Sequence, residues 1–559
     1  MSPSIHPVAA LIIALPLFLP HVSRAQEAGP PTEPEVDWRG KIEGDARKIL
    51  KNYYNPALRH SDVMQSCRAD KGENCYNGGD HEDQWCTSSQ CHQPGDTEKF
   101  LARLAEASDS APDDPIVFAH AVYAYARLSH LEEAGEMAGR CSYASWWCDL
   151  LSGMVHDRAG RVMEAQASFN AALPAADPAL TSRLTAVAEL LDHDDRSDYG
   201  KLRGRERRDF DRRFWWLTNP FWSISGNDRW TRHIRRRFEL ILHEQILEVT
   251  GNEHPYSHEV VVVRRGHEDS WSKLGMPAPR WTSIKAATYR FTPVSGIGGE
   301  IGDIRYELTA RREDERYTPD NYGPVHQVPT QFARFLERDS MVVVVAARLD
   351  LVPLGPPRTV FLVSDGPGSY PVGLQPRVAG PRPVVEAAVA PVPMVASLEF
   401  LDRAGGAARS RVGLPALGTE GLVVSDPVLL TPDSLSLPNS RDEAVAAMMG
   451  TTTVETGAEL AVYWEVYGLV RGQPLDFSIS IEGVEEGFFT RVLRALRIRG
   501  DDQGPVVSWT EPASAPTHPM ALGLDIAGLD NGDYVLKIGV TLLDGSTSTT
   551  TRSFTVARP

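Results

Sequence analysis

The stretch from Asp209 to Gln245 constrains the fold more than any other, because no other part of the sequence is so dense in large side chains. Seven arginines and five acidic residues are interleaved with its aromatic residues, and no catalytic motif accompanies them. The aromatic residues are Phe210, Phe214, Trp215, Trp216, Phe221, Trp222, Trp230 and Phe238. So many rings in one stretch must either pack together or form a binding surface.

The pattern predicts two helices joined by a corner. The first helix is predicted from Arg205 to Leu217 and ends at Asn219-Pro220, because a residue before proline is driven out of the helical conformation. A turn follows, with N-cap candidates at Ser223, Ser225, Gly226 and Asn227. The second helix is predicted from Asp228 to Val249. One of its faces is apolar, since these residues recur at spacings of three and four: Trp230, Ile234, Phe238 and Ile241.

This region is interpreted as a packed corner whose arginines pair with nearby acidic side chains. The alternative is a surface that stacks nucleic-acid bases on aromatic rings and guanidinium groups. The chain has 57 basic and 74 acidic side chains and a formal net charge of -17, which disfavours a polyanionic partner. We therefore expect no nucleic-acid binding.

The order of motifs here resembles that of bacterial proteins with a GWxTD domain. FWWLTNPFW is followed by GNDRWTRHIRRRF, then by an apolar segment interpreted as a strand, Val260 to Gly266, and then by Trp271. The GWxTD pentapeptide of the family is absent, and Arg265 and Glu268 stand in place of the family's tyrosine and proline. The resemblance covers about residues 205 to 275, with a weaker similarity near the C-terminus. It implies an architecture, with a central α/β segment, rather than an activity.

Residues 1–25 are typical of a signal peptide. Val8 to Pro20 is an apolar core of suitable length, and Ser23-Arg24-Ala25 ends in a small residue where cleavage can occur. The alternative is a membrane anchor, although two prolines and a short core argue against it. The longest later apolar block, Met341 to Ala347, predicts a buried strand. We expect an exported chain in the periplasm, the cell envelope or the extracellular space, with no transmembrane segment after removal of the signal peptide.

All six cysteines lie in one early part of the chain: Cys67, Cys75, Cys86, Cys91, Cys141 and Cys148. An even, clustered set in an exported protein predicts disulfide bonds. The first four lie in a polar loop and can pair in three ways, whereas the last two flank a helix junction that a bridge would staple. Alternatives are zinc held with His81 and His92, haem at Cys86-x-x-x-x-Cys91-His92, and calcium bound by the loop's carboxylates. The oxidising compartment, the irregular spacing and the lack of an EF-hand pattern favour no metal and no cofactor.

Residues 97–190 are predicted to be helical, in five segments: Thr97 to Ala107, Pro115 to Ser129, Leu131 to Arg140, Ala144 to Ala159 and Val162 to Leu173. The spacing of five residues resembles a tetratricopeptide repeat: Gly153, Gly160, Ala165, Phe169 and Ala172. A degraded copy precedes it at Ala134 and Ala138. Such repeats usually bind a peptide or protein, and plain helical scaffolding is the alternative. Four nearby aromatic residues are predicted to contact a protein partner, with packing against the cysteine loop as the alternative: Tyr123, Tyr125, Trp146 and Trp147.

The later part of the chain is predicted to be β. Residues 191–207 change from acidic to basic and are interpreted as a linker or as the entry to the corner. Strands are predicted at 304–310, 340–350, 359–364, 384–392, 397–402, 422–430, 460–467, 475–481, 488–496, 506–509, 520–526, 534–542 and 549–556. Hairpin turns are predicted at 530–533 and at Asp544-Gly545. Many short strands in the last part favour an antiparallel sandwich.

The fold class is therefore multidomain α + β, with an N-terminal tetratricopeptide-like helical region and C-terminal antiparallel β-sandwiches. The predicted divisions are 1–25 (signal peptide), 26–96 (linker and cysteine-rich loop), 97–200 (helical region), 201–275 (GWxTD-like domain), 276–420 (β-rich domain) and 421–559 (C-terminal β-sandwich).

Motifs for catalysis are incomplete. His243-Glu244 begins like a zinc-protease motif, but Leu247 replaces the second histidine. His267-Glu268 fails in the same way, and His254 and His258 have Pro255 between them. No nucleophile elbow, P-loop or dinucleotide fingerprint occurs. We therefore name no catalytic residue and expect a non-enzymatic scaffold of the bacterial cell envelope that binds a protein partner through its helical repeats. The alternative is a secreted hydrolase with a site between domains.

Overall fold

The structure is a computed structural model. It describes residues 85–87, 94–110, 113–191, 193–250, 262–263, 270–273, 282–285, 301, 325–367, 372–374, 380–431, 437–457, 459–483 and 507–558. An N-terminal helical region is followed by several mainly antiparallel sheets, so the fold combines α and β parts. None of the helices in the described part of the chain combines the length and the apolar character needed to cross a bilayer.

The helical region confirms the segments predicted from periodicity, with small shifts at their ends. Its helices are α1 (Pro94–Ser110), α2 (Pro115–Arg127), α3 (Leu131–Gly139), α4 (Ser145–Arg158), α5 (Val162–Ala175), α6 (Pro178–Thr185), α7 (His193–Lys201), α8 (Gly204–Thr218) and α9 (Asp228–Thr250). Helix α2 begins where Asp114 accepts hydrogen bonds from the N–H groups of Ile116 and Val117 and proline fills the first helical position. Helix α7 lies where a linker was one interpretation, so the segment before the corner is itself helical.

Close packing joins α4 to α5. A Cβ atom placed on Gly153 would lie 2.5 Å from the ring of Phe169, so only glycine allows the two helices to approach this closely. Phe169 is fully buried in a core that α9 completes with Ile234 and Phe238. Cys141 in the loop before α4 and Cys148 in the first turn of α4 form a disulfide bond with a Cα–Cα distance of 5.6 Å. The bridge ties the start of α4 to the loop that enters it.

The β part consists of short to medium strands. They are β1 (Trp85–Thr87), β2 (Ser270–Lys273), β3 (Thr282–Lys285), β4 (Val325–Gln327), β5 (Thr330–Glu337), β6 (Ser340–Ala347), β7 (Arg358–Ser364), β8 (Val372–Leu374), β9 (Val384–Val389), β10 (Met394–Leu401), β11 (Ala407–Leu414), β12 (Val423–Val424), β13 (Val428–Leu430), β14 (Thr453–Glu455), β15 (Glu459–Tyr467), β16 (Pro474–Gly483), β17 (Val507–Pro512), β18 (Thr517–Asp525), β19 (Gly532–Leu542) and β20 (Thr547–Ala557). A short helix, α10 (Arg441–Ala446), lies between β13 and β14.

The larger sheets follow one another as layers. Their strand orders are β4-β11-β10-β7-β8, β5-β6-β9, β12-β15-β13 with β18 also paired to β15, and β14-β20-β19-β16-β17. In β6, Val343 and Val345 contribute to the core shared with the first of these sheets, whereas Val342 and Val344 contribute to the core shared with β13 and β15. A strand covered on both faces has no polar face, which explains the uninterrupted apolar run of β6.

The outer layer of the stack keeps the alternation expected of a strand with one wet face. In β19, Tyr534, Leu536 and Ile538 are buried, while the residues between them are more exposed. The predicted hairpin turn at Asp544-Gly545 joins β19 to β20, with Gly545 at a φ of 86°. The predicted strands 304–310 and 488–496 lie outside the described residues.

Several elements differ from the sequence prediction, among them residues 262–263 and strands β5 and β11. Val262 and Val263 are helical rather than extended, and both are buried beside Phe214 and Leu240. Packing against α8 and α9 overrides the β preference of valine. Strands β5 and β11 were not predicted from the sequence, because their sequences, TQFARFLE and AARSRVGL, carry arginines at positions that the structure buries or half-buries.

Candidate functional site

The aromatic corner between α8 and α9 is held by Asn227. Its side-chain oxygen accepts the N–H of Trp230 at 3.0 Å and so caps α9, while its amide group donates to the carbonyl of Trp215 at 2.8 Å. Its own N–H donates to Oε1 of Gln166 on α5 at 2.9 Å. One residue thus fixes three helices relative to one another.

The corner also rests on the first sheet through stacked side chains. The rings of Trp216 and Trp222 are parallel, with centroids 5.4 Å apart, and Nε1 of Trp222 donates to the carbonyl of Trp216 at 2.9 Å. The guanidinium group of Arg411 lies 4.0 Å from the centre of the Trp222 ring. Trp222 therefore contacts a ring and a cation, an arrangement that favours an indole.

The corner and the sheet also meet at a buried ion pair. The contact involves Glu399, Arg409, Arg411 and Trp222, together with the corner backbone from Leu217 to Ser223. Glu399 and Arg411 are both fully buried and lie 3.1 Å apart on β10 and β11. The two oxygens of Glu399 also accept the N–H groups of Trp222, at 3.0 Å, and Ser223, at 2.9 Å. We call these residues the junction.

The arginines of the junction satisfy the carbonyl groups that the end of α8 leaves without helical partners. Arg411 donates to the carbonyls of Leu217, at 2.7 Å, and Asn219, at 2.9 Å. Arg409 donates to those of Asn219, at 2.9 Å, and Pro220, at 2.7 Å. Side chains from the sheet thus satisfy the carbonyl groups that the helix break at Asn219-Pro220 leaves free of helical hydrogen bonds.

A second buried network fixes α9 to α4. Arg235 lies 2.6 Å from Asp157 and 2.9 Å from Glu239, and Arg158 lies 2.7 Å from Glu239. Burial alone would raise the pKa of Glu239, but Arg158 and Arg235 lower it to about 2. The predicted pairing of the corner's arginines with acidic side chains holds for Arg235, and buried ion pairs join α4 to α9 beside the corner.

An open cleft of about 940 Å³ lies beside the corner. One wall is the face of α5 that carries Gln166 and Asn170, and the other is a face of α8 whose residues recur at helical spacing. The lining residues are Gln166, Asn170, Thr185, Arg205, Arg208, Asp209, Asp211, Arg212, Trp215, Trp216, Asn219, Asn227, Trp230 and Pro367. Three tryptophans, three arginines and several amides in one concave surface can bind a ligand that is partly apolar and partly polar.

Some charged side chains in this cleft have a partner among the described residues and others do not. Asp209 lies between Arg212, with which it is hydrogen-bonded, and Arg205, whose Nε is 3.5 Å away; its pKa is lowered, chiefly by the hydrogen bond from Arg212. Asp211 is occupied by the Tyr199 hydroxyl, which donates to it at 2.8 Å, and burial raises its pKa. Arg208 is exposed and has no carboxylate within 4.0 Å in the described part of the chain.

Two of the four predicted binding aromatics, Tyr123 and Trp147, are buried. Tyr123 is fully buried and Trp147 is 5 % exposed, with its Nε1 donating to the carbonyl of Pro115 at 3.2 Å. Tyr125 and Trp146 are only partly buried, and Tyr125 donates to the carbonyl of Leu101 at 3.4 Å. In the described residues these side chains pack within the helical core, so a partner cannot contact Tyr123 or Trp147 in this conformation.

The structure describes the Cys141–Cys148 disulfide but not the side chains of the first four cysteines. Cys67, Cys75 and Cys91 lie outside the described residues, and for Cys86 only the backbone in β1 is described. The disulfide, zinc, haem and calcium interpretations of the loop therefore stay predictions.

One cluster in the β part has the residue types of a hydrolytic triad. Oγ of Ser514 lies 2.9 Å from Nδ1 of His518, and Nε2 of His518 lies 2.6 Å from Oε1 of Glu511. However, the backbone N–H of Ser514 donates to the same Nδ1 at 3.0 Å, so this nitrogen is already an acceptor within a turn. The cluster closes the loop between β17 and β18, and we interpret it as turn-stabilising.

No family model matches the sequence, and no curated relative matches it. Among solved structures, the PmoD soluble domain from Methylocystis is 12 % identical at a TM-score of 0.16, covering 25 % of this chain and 96 % of that one. Red sea bream transglutaminase is 11 % identical at a TM-score of 0.15, covering 41 % and 31 %. A tetra-tandem repeat of a large adhesion protein is 12 % identical at 0.13, covering 41 % and 49 %. Likenesses at this level assign neither a family nor a function.

The sequence prediction missed the cleft. Gln166, Asn170 and Arg208 attract no attention singly, because exposed polar residues on helices are common. A usable signal was the spacing along α8, where Arg205, Arg208, Arg212, Trp215 and Trp216 fall on one face. That α5 forms the opposite wall is a tertiary fact that spacing does not contain.

Proposed function

We propose that the protein is an exported, non-enzymatic interaction protein of the bacterial cell envelope and that it binds a protein partner in the cleft between α5 and α8. In this proposal the helical pairs are tetratricopeptide-like repeats, residues 201–275 are a divergent GWxTD-like segment, and the paired sheets are β-sandwiches. The Cys141–Cys148 disulfide supports export, since such bonds persist in oxidising compartments.

The observation that carries the proposal is the combination of rigid walls with unused hydrogen-bonding groups. The N–H of Asn227 donates to Oε1 of Gln166, and the side-chain NH₂ group of Gln166 has no partner in the described residues. Asn170 is exposed one helical turn further along the same face. Amide side chains can pair with both the N–H and the C=O of an extended peptide. Rigid helical walls keep the entropic cost of ordering such a site low.

A peptide also fits the cleft better than the other ligand classes considered. The cleft is open to solvent, whereas small-molecule sites enclose most of their ligand. Asp209 and Asp211 line it among the arginines, which opposes a continuous phosphate backbone. A protein segment can place single charges where they are needed.

Site-specific photocrosslinking tests the proposal. The full chain would carry p-benzoylphenylalanine at Asn170 in the cleft or, as a control, at Arg140, an exposed residue at the end of α3. Random decapeptides displayed on phage would be selected on the unmodified protein, and enriched peptides then crosslinked. We expect crosslinks from position 170 and few from position 140.

Enriched peptides that crosslink equally from both positions would contradict the cleft as the binding site. Turnover of substrates in a broad hydrolase panel, together with no enriched peptide, would favour the alternative of a secreted hydrolase with a site between domains.

A further inference from the structure

The two ends of the cleft differ in chemistry. At the corner end, Trp215 and Trp230 lie near Asn227, and the turn at Gly226 packs on the first turn of α5. A Cβ atom on Gly226 would lie 2.8 Å from Val162 and 3.2 Å from the sulfur of Met163. Met163 lies outside the lining of the cleft but borders the turn at Gly226 and is 51 % exposed, so it adds accessible apolar surface next to the rim that Trp215 and Trp230 form at the corner end.

The other end of the cleft is basic. Arg208 and Arg205 lie seven and ten residues before Trp215 on α8. At about 1.5 Å of rise per residue, they lie roughly 10–15 Å from Trp215 along the helix axis. An extended peptide advances about 3.3 Å per residue, so three or four residues would span this distance.

The unpaired cation determines what the basic end can recognise. Arg205 and Arg212 share Asp209, and Arg207 stacks its guanidinium group 3.3 Å from the centre of the Tyr199 ring. Arg208 alone of the cleft's three arginines has no carboxylate partner in the described residues. Arginine pairs with carboxylate through two parallel hydrogen bonds, so one carboxylate completes this end of the cleft.

We propose that the cleft recognises an extended segment of a protein partner in which an apolar residue and an acidic residue lie three or four positions apart. The apolar side chain occupies the apolar rim at the corner end, which Trp215 and Trp230 line and Met163 borders, and the carboxylate binds Arg208. This inference rests on the proposed function, because it specifies the partner of the same cleft.

A designed peptide library tests the spacing directly. Displayed decapeptides carry one leucine at a fixed central position, and each of the nine remaining positions samples Glu, Gln, Lys, Ser and Gly. The full chain, its Arg208→Glu variant and the control variant Arg140→Glu each select from this library, and sequencing reports the enrichment of each residue at each position.

For the wild-type chain and for Arg140→Glu we expect at least a tenfold enrichment of Glu over Gln at three or four positions from the leucine. For Arg208→Glu we expect lysine to replace glutamate at the same positions, because the variant reverses the charge without removing the apolar rim. Such a switch requires a folded protein, so it also excludes a loss of structure as the cause.

Three results would overturn the inference: enrichment of Glu without a positional preference, an unchanged Glu preference in Arg208→Glu, or no enriched peptide from this library. Tighter binding of a single-stranded oligonucleotide than of any enriched peptide would overturn it as well. The photocrosslinking experiment decides the proposed function separately: peptides that crosslink at position 170 without depending on Arg208 would retain the proposed function and reject this inference.

Discussion

The junction and the cleft use the same residue types in opposite ways. In the junction, Arg411 and Glu399 are fully buried and their polar atoms contact Ser397 and the backbone of the corner. In the cleft, Arg208 is exposed and Asp209 is shared by two other arginines. The two regions meet at Trp216, which lines the cleft and stacks on Trp222 of the junction.

Residue type alone therefore does not distinguish a structural cluster from a binding surface. A buried charge must be paired within the protein, because water is not there to solvate it. An exposed charge is solvated when the site is empty and can exchange water for a ligand. We therefore expect substitutions at the junction to change stability and substitutions in the cleft to change binding.

The largest effect is expected from breaking the buried pair. Arg411→Ala leaves the Glu399 carboxylate buried with fewer donors and leaves the carbonyl of Leu217 without its donor, so it should lower the free energy of unfolding by about 3–5 kcal/mol. Urea denaturation followed by tryptophan fluorescence measures this. The double substitution Glu399→Leu with Arg411→Met should recover much of the loss, and a single variant as stable as wild type would show that the junction does not hold the corner.

A somewhat smaller effect is expected for the stacked indole. Trp222→Ala removes the contacts to Trp216 and Arg411, and should cost about 3 kcal/mol, at the low end of the range for large aromatic deletions because the ring is only partly buried. Trp222→Phe keeps an aromatic face and should lose less. A thermal unfolding curve of Trp222→Ala that coincides with that of wild type would contradict the stacking account.

The pH dependence of stability separates buried from exposed groups. His120 is 2 % exposed, and burial lowers its pKa to about 3. Folding lowers the pKa of this imidazole, so the unfolded chain binds a proton at a higher pH than the folded chain does. The contribution of His120 to stability is therefore complete above about pH 6.5 and falls by roughly 1.4 kcal/mol per pH unit between that value and pH 3. Below the ordinary pKa of glutamate, Glu239 adds a further loss, since its own pKa is lowered.

The measurement is the urea-derived free energy of unfolding at pH 7, 5.5 and 4.5. His120→Leu should show a shallower decrease than wild type, by one proton's contribution, while Asp209→Asn in the exposed cleft should retain the wild-type slope over this range. Equal slopes for His120→Leu and wild type would mean that His120 is protonated in the folded protein.

The smallest effect on stability is expected in the cleft. Arg208→Glu should change the free energy of unfolding by no more than about 0.5 kcal/mol, because an exposed side chain with no ion pair contributes little. The same variant should lose at least tenfold in affinity for the selected acidic peptides, as judged by fluorescence anisotropy. A large loss of stability would place Arg208 with the structural residues and remove the contrast between the two regions.

Local periodicity allowed much of this fold to be predicted. The helices predicted at Arg205 to Leu217 and Asp228 to Val249 correspond to α8 (Gly204–Thr218) and α9 (Asp228–Thr250), because apolar spacing and the Asn219-Pro220 break are properties of the sequence itself. The buried strand at Met341 to Ala347 was identified for the same reason. Strand β11 was not predicted because arginines such as Arg409 and Arg411 are usually surface residues. Their burial is possible here because the corner packs against them and accepts their hydrogen bonds.

The candidate site could not be predicted from the sequence for a related reason. Tyr123 and Trp147 have the composition of a binding surface, but exposure is decided by which helices pack against them, and α9 covers this side of the helical core with Phe238. Conversely, Asn170 and Arg208 acquire a role only because α5 and α8 face each other across the cleft. Side-chain type can be read from a sequence, whereas pairing between distant helices cannot.

Hydrogen–deuterium exchange of the full chain, with and without an enriched peptide, tests most directly whether the cleft is the binding region and the junction its support. The account predicts added protection in Val162–Ala175 and Gly204–Thr218, with no change in strands Met394–Leu401 and Ala407–Leu414, which are already protected by the junction. Protection that appears in Pro115–Arg127 or in the sheets, and not in α5 and α8, would contradict it.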